Sequence, residues 1–260
     1  MKTNSAVVPV MHRDEKVRTA IRRGLAKSRT RVMVCRSLTH LDTVLQRELV
    51  DAVVIDVRQF GTEAATSLLS SYPRIPLFAM SAFRPDDGQL IVTCIEAGFK
   101  GILVQGVDDP AAGELIAARS ASRVRLSDLG NAPRLLRLTE PLQLQVWKEV
   151  VARVGAPTRT SEIAQDLMVT REHLSREFAA GGAPNLKRVI DLIRTVWVAD
   201  LLRNPGYDVA TVSRILRFSS PSHLAGSVKR VAGAKPSELP GLGPRGVLKR
   251  FVRGGMRSRL

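Results

Sequence analysis

The chain has 260 residues, a length that corresponds to about two domains at ~150 residues each. Lys and Arg number 40 against 24 Asp and Glu, a net of +16, and 44% of residues are apolar. That apolar content excludes a largely disordered chain. No apolar run nears the ~20 residues of a membrane-spanning helix, and the first apolar stretch, Ala6–Met11, is too short for a signal-peptide core. Cys35 and Cys94 cannot build a disulfide framework, and the four histidines are scattered, so no Cys/His set for zinc is visible. The expectation is a cytoplasmic protein with no metal and no cofactor. The charge is uneven: +3 over residues 1–120, +7 over 121–240 and +6 over the last twenty. Such an excess suits a polyanion. Without a Trp/Phe-rich amphipathic helix beside it, double-stranded DNA is a better partner than a membrane surface.

Along the first 120 residues, short β-branched runs recur at 6–11, 31–35, 52–56, 75–80 and 101–104. Helical patterns separate them. Val17, Ile21 and Leu25 share one face, as do Leu38, Leu41, Val44 and Leu45. Asp109-Pro110 has the form of an N-cap with proline at N1, opening a last helix toward Arg119. Five strands alternating with five helices predict a parallel sheet covered on both faces. The uninterrupted run Ala52-Val53-Val54-Ile55 suits a buried strand of that kind.

Size, order and landmarks here resemble the response-regulator receiver domain. Asp56 stands at the end of the third strand, where the family carries its phospho-acceptor, and Ser81 at the end of the fourth, where it keeps Ser or Thr. In a flavodoxin-like sheet those strand ends share one crevice. Three positions depart from the family. His12-Arg13 stands where its metal-binding acidic pair belongs, Gln105 replaces the lysine ending strand five, and Ile102 occupies the aromatic switch position. A cationic guanidinium repels Mg²⁺, and without cation and lysine a phosphoryl transfer to Asp56 loses most of its electrostatic stabilisation. The resemblance therefore implies a pseudo-receiver, used for docking or dimerisation, with Asp56 paired to a nearby base such as Arg13. No P-loop or nucleophile elbow points to an enzyme.

Residues 121–138 are polar, basic and broken by Gly130 and Pro133, the composition of a linker. Thr139 can then cap a helix carrying Leu142, Val146, Trp147, Val150 and Val151 on one side. Two similar stretches follow, 161–178 and 210–228. Ile163, Ala164, Leu167 and Val169 match Val212, Ser213, Leu216 and Phe218 at an offset of 49, while Leu174 and Phe178 match Leu224 and Val228 at 50. Each reads as a helix, a tight turn and a second helix, with Thr170 and Ser220-Pro221 starting the second helices. Between them, Asn185 can cap a helix over residues 186–203, roughly 27 Å of rod. Adjacent major grooves on one face of DNA lie ~34 Å apart.

Over residues 139–240 this arrangement resembles the AraC/XylS family of transcription regulators. The motifs are Leu174-Ser175-Arg176-Glu177-Phe178, the connector, Phe218-Ser219-Ser220-Pro221-Ser222 and the closing Pro236-Ser237-Glu238. The resemblance implies base reading by Arg171, Glu172, Ser175 and Arg176 in the first unit. Arg176 can address guanine O6 and N7, and Glu172 can accept from cytosine N4 or pair with Arg176 at i+4. In the second unit only Ser222 offers a polar contact beside Ala225 and Gly226, so Lys229 and Arg230 are expected to hold phosphates. Both turns lack the family's glycine, carrying Met168 and Arg217. Residues 241–260, Gly-rich and wholly basic, read as a flexible tail.

The expected protein is thus a bacterial, sequence-specific DNA-binding regulator in the cytoplasm and associated with the nucleoid. It comprises a pseudo-receiver (1–120), a linker (121–138), an AraC-like reader (139–240) and a tail (241–260), with a homodimer or another regulator docking on the first domain. An active response regulator phosphorylated on Asp56 and a protein-binding adaptor are the rival readings.

Overall fold

A computed structural model describes residues 6–28, 30–153 and 155–254. The chain forms two compact units. One runs up to Val124 and includes Asn204–Gly206; the other holds Arg125–Arg203 and continues from Tyr207.

The first unit alternates as expected: β1 (Ala6–Met11), α1 (Glu15–Gly24), β2 (Thr30–Val34), α2 (Leu38–Arg47), β3 (Val53–Ile55), α3 (Val57–Phe60), α4 (Thr62–Ser71), β4 (Leu77–Ser81), α5 (Gly88–Ala97), β5 (Gly101–Val104) and α6 (Ala112–Ala118). The strands are all parallel in the order β2-β1-β3-β4-β5. This is the flavodoxin-like, receiver-like doubly wound sheet, whose order reverses between β1 and β3. Every residue of β1, β3 and β4 is buried, because helices cover both faces and leave no polar side to alternate. Val8, Val10, Val54, Phe78 and Met80 pack with Val17 and Ile21 of α1 and Ile116 of α6 on one face. There α1 and α6 touch backbone to backbone: a Cβ built on Gly24 would lie 2.6 Å from the Gly113 Cα. Only glycine at both positions allows that approach.

Two details differ from expectation. The helix between β3 and β4 is divided, because Gly61 at φ 79° ends α3 and starts α4. Asp109-Pro110 does not cap α6, which starts after Ala111. Instead Asp108 and Asp109 accept the N–H groups of Val104 (2.7 Å) and Gly106 (3.0 Å). The aspartates tie the loop after β5 and leave the helix to start two residues later.

The second unit is all-α: the end of α7 (Ala121–Asp128, which the division crosses after Val124), α8 (Ala132–Leu135), α9 (Pro141–Ala152), α10 (Thr160–Asp166), α11 (Arg171–Phe178), α12 (Leu186–Leu201), α13 (Val209–Ile215), α14 (Pro221–Ala232) and α15 (Leu239–Arg253). It contains two helix-turn-helix units, α10–α11 and α13–α14. The reading of 121–138 as a linker is corrected here. α7 and α8 occupy it, and Leu129, Ala132, Leu136 and Leu138 are buried. Polar composition misled because these helices bury one side only. Within α7, Arg125 makes an ion pair with Asp200 of α12 while its guanidinium lies 4.2 Å from the Trp197 ring centroid.

The tail is also corrected. α15, kinked at Gly243, buries Leu239, Val247, Leu248 and Phe251, and Arg245 pairs with Asp128 at 3.0 Å. Basic and glycine residues masked an apolar spacing of 247, 248 and 251 that fits one helical face. The glycine spacing of 241, 243 and 246 has the GxGxxG form, but it lies within α15 with no strand before it, so it lacks the context of a dinucleotide site. Residues 255–260 of the expected tail lie outside the described residues. The N-cap of α9 is Glu140 rather than Thr139, and α12 ends at Leu201, two residues early, for about 24 Å of rod. Among the described residues, no helix is long and apolar enough to cross a membrane.

Candidate nucleic-acid interface and strand-end crevice

The two helix-turn-helix units match in backbone detail. α10 and α13 repeat at 49 residues, and the starts of α11 and α14 at 50, the extra residue being Ser219. Met168 (φ 55°) and Arg217 (φ 53°) both take the left-handed conformation. Val169 N–H donates to Ala164 O at 3.0 Å and Met168 N–H to Gln165 O at 3.1 Å; Phe218 donates to Ser213 O at 2.8 Å and Arg217 to Arg214 O at 3.1 Å. These are paired Schellman turns, built without the glycine that such φ values favour.

Thr170 Oγ1 accepts the His173 N–H at 3.1 Å and caps α11; Ser220 Oγ accepts the His223 N–H at 3.0 Å, with Pro221 at N1 of α14. Leu174 and Phe178 are buried under α11, leaving Arg171, Glu172, Ser175 and Arg176 together on its exposed side. Arg176 reaches Glu177 at 3.2 Å and approaches His173 at 3.4 Å, so its neighbours are these rather than Glu172, the alternative intrahelical partner. On α14, Leu224, Ser227 and Val228 are buried, while Ser222, His223, Lys229 and Arg230 are exposed and Ala225 and Gly226 are half-buried. His223 is held by Ser219 Oγ at 2.8 Å and lies edge-on to Phe218.

Two residues that sequence reasoning missed lock these helices. Gln143 of α9 is fully buried; its Nε2 donates to the carbonyls of Phe178 (3.0 Å) and Ala180 (3.2 Å) after α11, and its Oε1 accepts the N–H groups of Thr139 and Glu140. A glutamine three residues beyond Glu140 has the spacing of a capping box, a signal that was present. Arg194 of α12 donates to Leu216 O at 2.9 Å and stacks over Phe218 at 3.8 Å. Burial pushes its guanidinium below the ordinary arginine value, against the opposing pull of Asp191. An arginine set among the apolar residues Ile190, Ile193, Val196 and Trp197 of α12 was the available hint.

In the sheet unit, Asp56 follows β3 and caps α3. Its Oδ1 accepts the Ser81 hydroxyl at 2.7 Å, and its Oδ2 lies 3.7 Å from His12 Nε2. Arg13, the expected partner, is replaced by His12 because His12 is the residue turned inward after β1, while Arg13 is exposed. His12 Nδ1 accepts the Asp14 N–H at 3.1 Å, so in the neutral ring the proton belongs on Nε2, facing Asp56. Gln105 donates to Asp14 Oδ2 at 2.7 Å, and Asp14 Oδ1 caps α1 through the Lys16 N–H. Arg58 turns away to the Ala82 carbonyl at 2.7 Å and to Asp87 at 3.4 Å. The crevice thus holds a strand-end carboxylate with a hydroxyl and an imidazole beside it, and its second acidic group is occupied by an amide.

No protein-family profile and no curated protein matches the chain. Solved structures do. A response regulator from Thermotoga maritima is 20% identical with a TM-score of 0.39, covering 44% of this chain and 98% of its own. Full-length FixJ from B. japonicum is 15% identical at 0.38, covering 83% and 97%. The response regulator StyR is 17% identical at 0.37, covering 87% and 99%. The receiver-like fold of the first unit rests on its own strand order.

Proposed function

We propose that this chain is a sequence-specific DNA-binding transcription regulator, with an AraC/XylS-like reader and a receiver-like domain that docks or dimerises without accepting phosphate. The supporting observation is the doubled helix–Schellman turn–helix unit, joined through α12, in which Arg171, Glu172, Ser175 and Arg176 share one exposed surface. In this reading α11 reads bases, Arg176 contributing about 1–3 kcal/mol of discrimination at a guanine. α14, with Ser222 as its polar base contact, mainly positions the duplex through Lys229 and Arg230. In this reading residues 1–120 are the pseudo-receiver and 139–240 the reader, with α8 and α15 packed into the helical unit in place of a linker and a flexible tail.

Selection of bound sequences from a random duplex pool tests the proposal and supplies the operator. An enriched motif that Arg176→Ala flattens, with Lys229→Ala weakening all sites alike, supports it. Binding that is negligible at low salt, without a counterion slope, favours the adaptor reading instead. One observation favours the rival switch: Asp56 and Ser81 meet at the strand ends, as phosphoryl transfer would require. Against it stand His12 and the Gln105–Asp14 contact. Acetyl phosphate with Mg²⁺ followed by intact mass decides, since a phosphoryl group absent from Asp56→Asn would establish the switch.

A further inference from the structure

A groove of about 880 Å³ opens in the sheet unit where the ends of β1 and β2 meet α1 and α3. That volume is in the range of ~300–1,000 Å³ typical of small-molecule sites. The groove lies outside the carboxyl ends of the strands, beside the β1/β3 reversal, where open α/β sheets take their ligands. Its lining is cationic: Arg13, Arg18, Arg22 and Arg36 face one acid, Glu15. Among the described residues, Arg13, Arg22 and Arg36 have no ion-pair partner. Arg18 is held in place by donating to the His12 carbonyl at 2.8 Å and to the Arg13 carbonyl. Arg18 and Arg22 stand one turn apart on α1, a spacing at which like charges repel.

The remaining wall is not charged. Val34, Cys35 and Phe60 line it, and burial pushes the Cys35 thiol up to about 11, so it stays neutral. His12 adds a second polar feature: its side chain is 2% exposed, and its Nε2 has no hydrogen-bond partner although Asp56 lies 3.7 Å away. We propose that this groove binds a nucleotide-like organic polyphosphate, its phosphates on the arginines and its apolar body against Val34 and Phe60. The proposal rests on the sheet unit alone and does not depend on DNA binding by the helical unit.

Calorimetric titration of the full chain with ADP at physiological ionic strength tests it, with pyrophosphate and sodium sulfate as parallel probes. Saturable one-to-one ADP binding is expected, weakened at least tenfold in Arg13→Ala/Arg36→Ala. Both residues are exposed, so the melting temperature should hold. Phe60→Ala should weaken ADP and leave pyrophosphate unchanged. Absence of saturable binding, equal binding by the double variant, or equal displacement by sulfate would each overturn the proposal. So would one-to-one displacement of ADP by a short duplex that the double variant also fails to bind, since the groove would then be a DNA surface.

Discussion

Asp200→Asn should be among the most damaging isosteric changes in the helical unit. Arg125 and Asp200 are each 2% exposed at the side chain. Among the described residues, the buried terminal nitrogens of Arg125 have no hydrogen-bond partner, so its charge is met chiefly by Asp200 and the face of Trp197 at 4.2 Å. A desolvated cation–π contact supplies about 2 kcal/mol, well short of offsetting an uncompensated buried charge. Breaking such a pair from one side costs about 3–5 kcal/mol, whereas an apolar replacement of both can be nearly neutral. Asp200→Asn should therefore lose about 3–5 kcal/mol, and Arg125→Met/Asp200→Leu should lose less than Asp200→Asn alone. Urea unfolding followed by tryptophan fluorescence reads this unit selectively, because both tryptophans, Trp147 and Trp197, lie in α9 and α12. With a slope of ~1–3 kcal/mol per molar urea, the midpoint should fall by at least about 1 M. A loss under about 1 kcal/mol, or a double variant no better than the sum of Arg125→Met and Asp200→Leu, would refute the argument.

Two glycines should respond oppositely to alanine. Gly226 has open space around its absent Cβ, the nearest atom being Arg230 Nη1 at 3.8 Å, so Gly226→Ala should stabilise α14 by about 0.5–1 kcal/mol. Gly24→Ala meets backbone at 2.6 Å and should cost about 1–3 kcal/mol; thermal melts of the two variants compare them directly. Met168→Gly should gain about 0.5–1 kcal/mol, since the left-handed penalty of about 1–2 kcal/mol exceeds the entropy glycine adds to the unfolded chain. An unchanged melt would mean the turn is not strained. Asp208 caps α13 through the Thr211 N–H at 2.7 Å, and hydrogen bonds from Thr211 hold its carboxyl below the ordinary aspartate value. Its stabilisation is full above the unfolded value near ~4 and fades as pH falls through the lowered folded value. Asp208→Ala should cost about 1 kcal/mol at pH 7 and progressively less below pH ~4, measured by denaturant midpoint against pH.

Local chemistry made much of this protein legible in the residue order. Period and β-branched runs marked all five strands, since a parallel sheet buried on both faces demands continuous apolar segments. The offsets of 49 and 50 marked two helix-turn-helix units, and Thr170, Asn185 and Ser220 announced their own helix starts. The missing turn glycines at Met168 and Arg217 were visible as well, and both residues take positive φ, because a turn's geometry is set within a few residues. What tertiary structure alone decided was partnership across distance. Helices at 121–135 and beyond 239 look polar until Arg125 finds Asp200 and Phe251 finds a buried place. Asp56 meets His12 rather than Arg13 because the pleat turns one residue in and the next out. Gln143 and Arg194 gained their roles from carbonyls that end helices 35 and 22 residues away. Hydrogen-bond satisfaction at helix ends is a demand every sequence makes, but only the folded chain determines which side chain meets it.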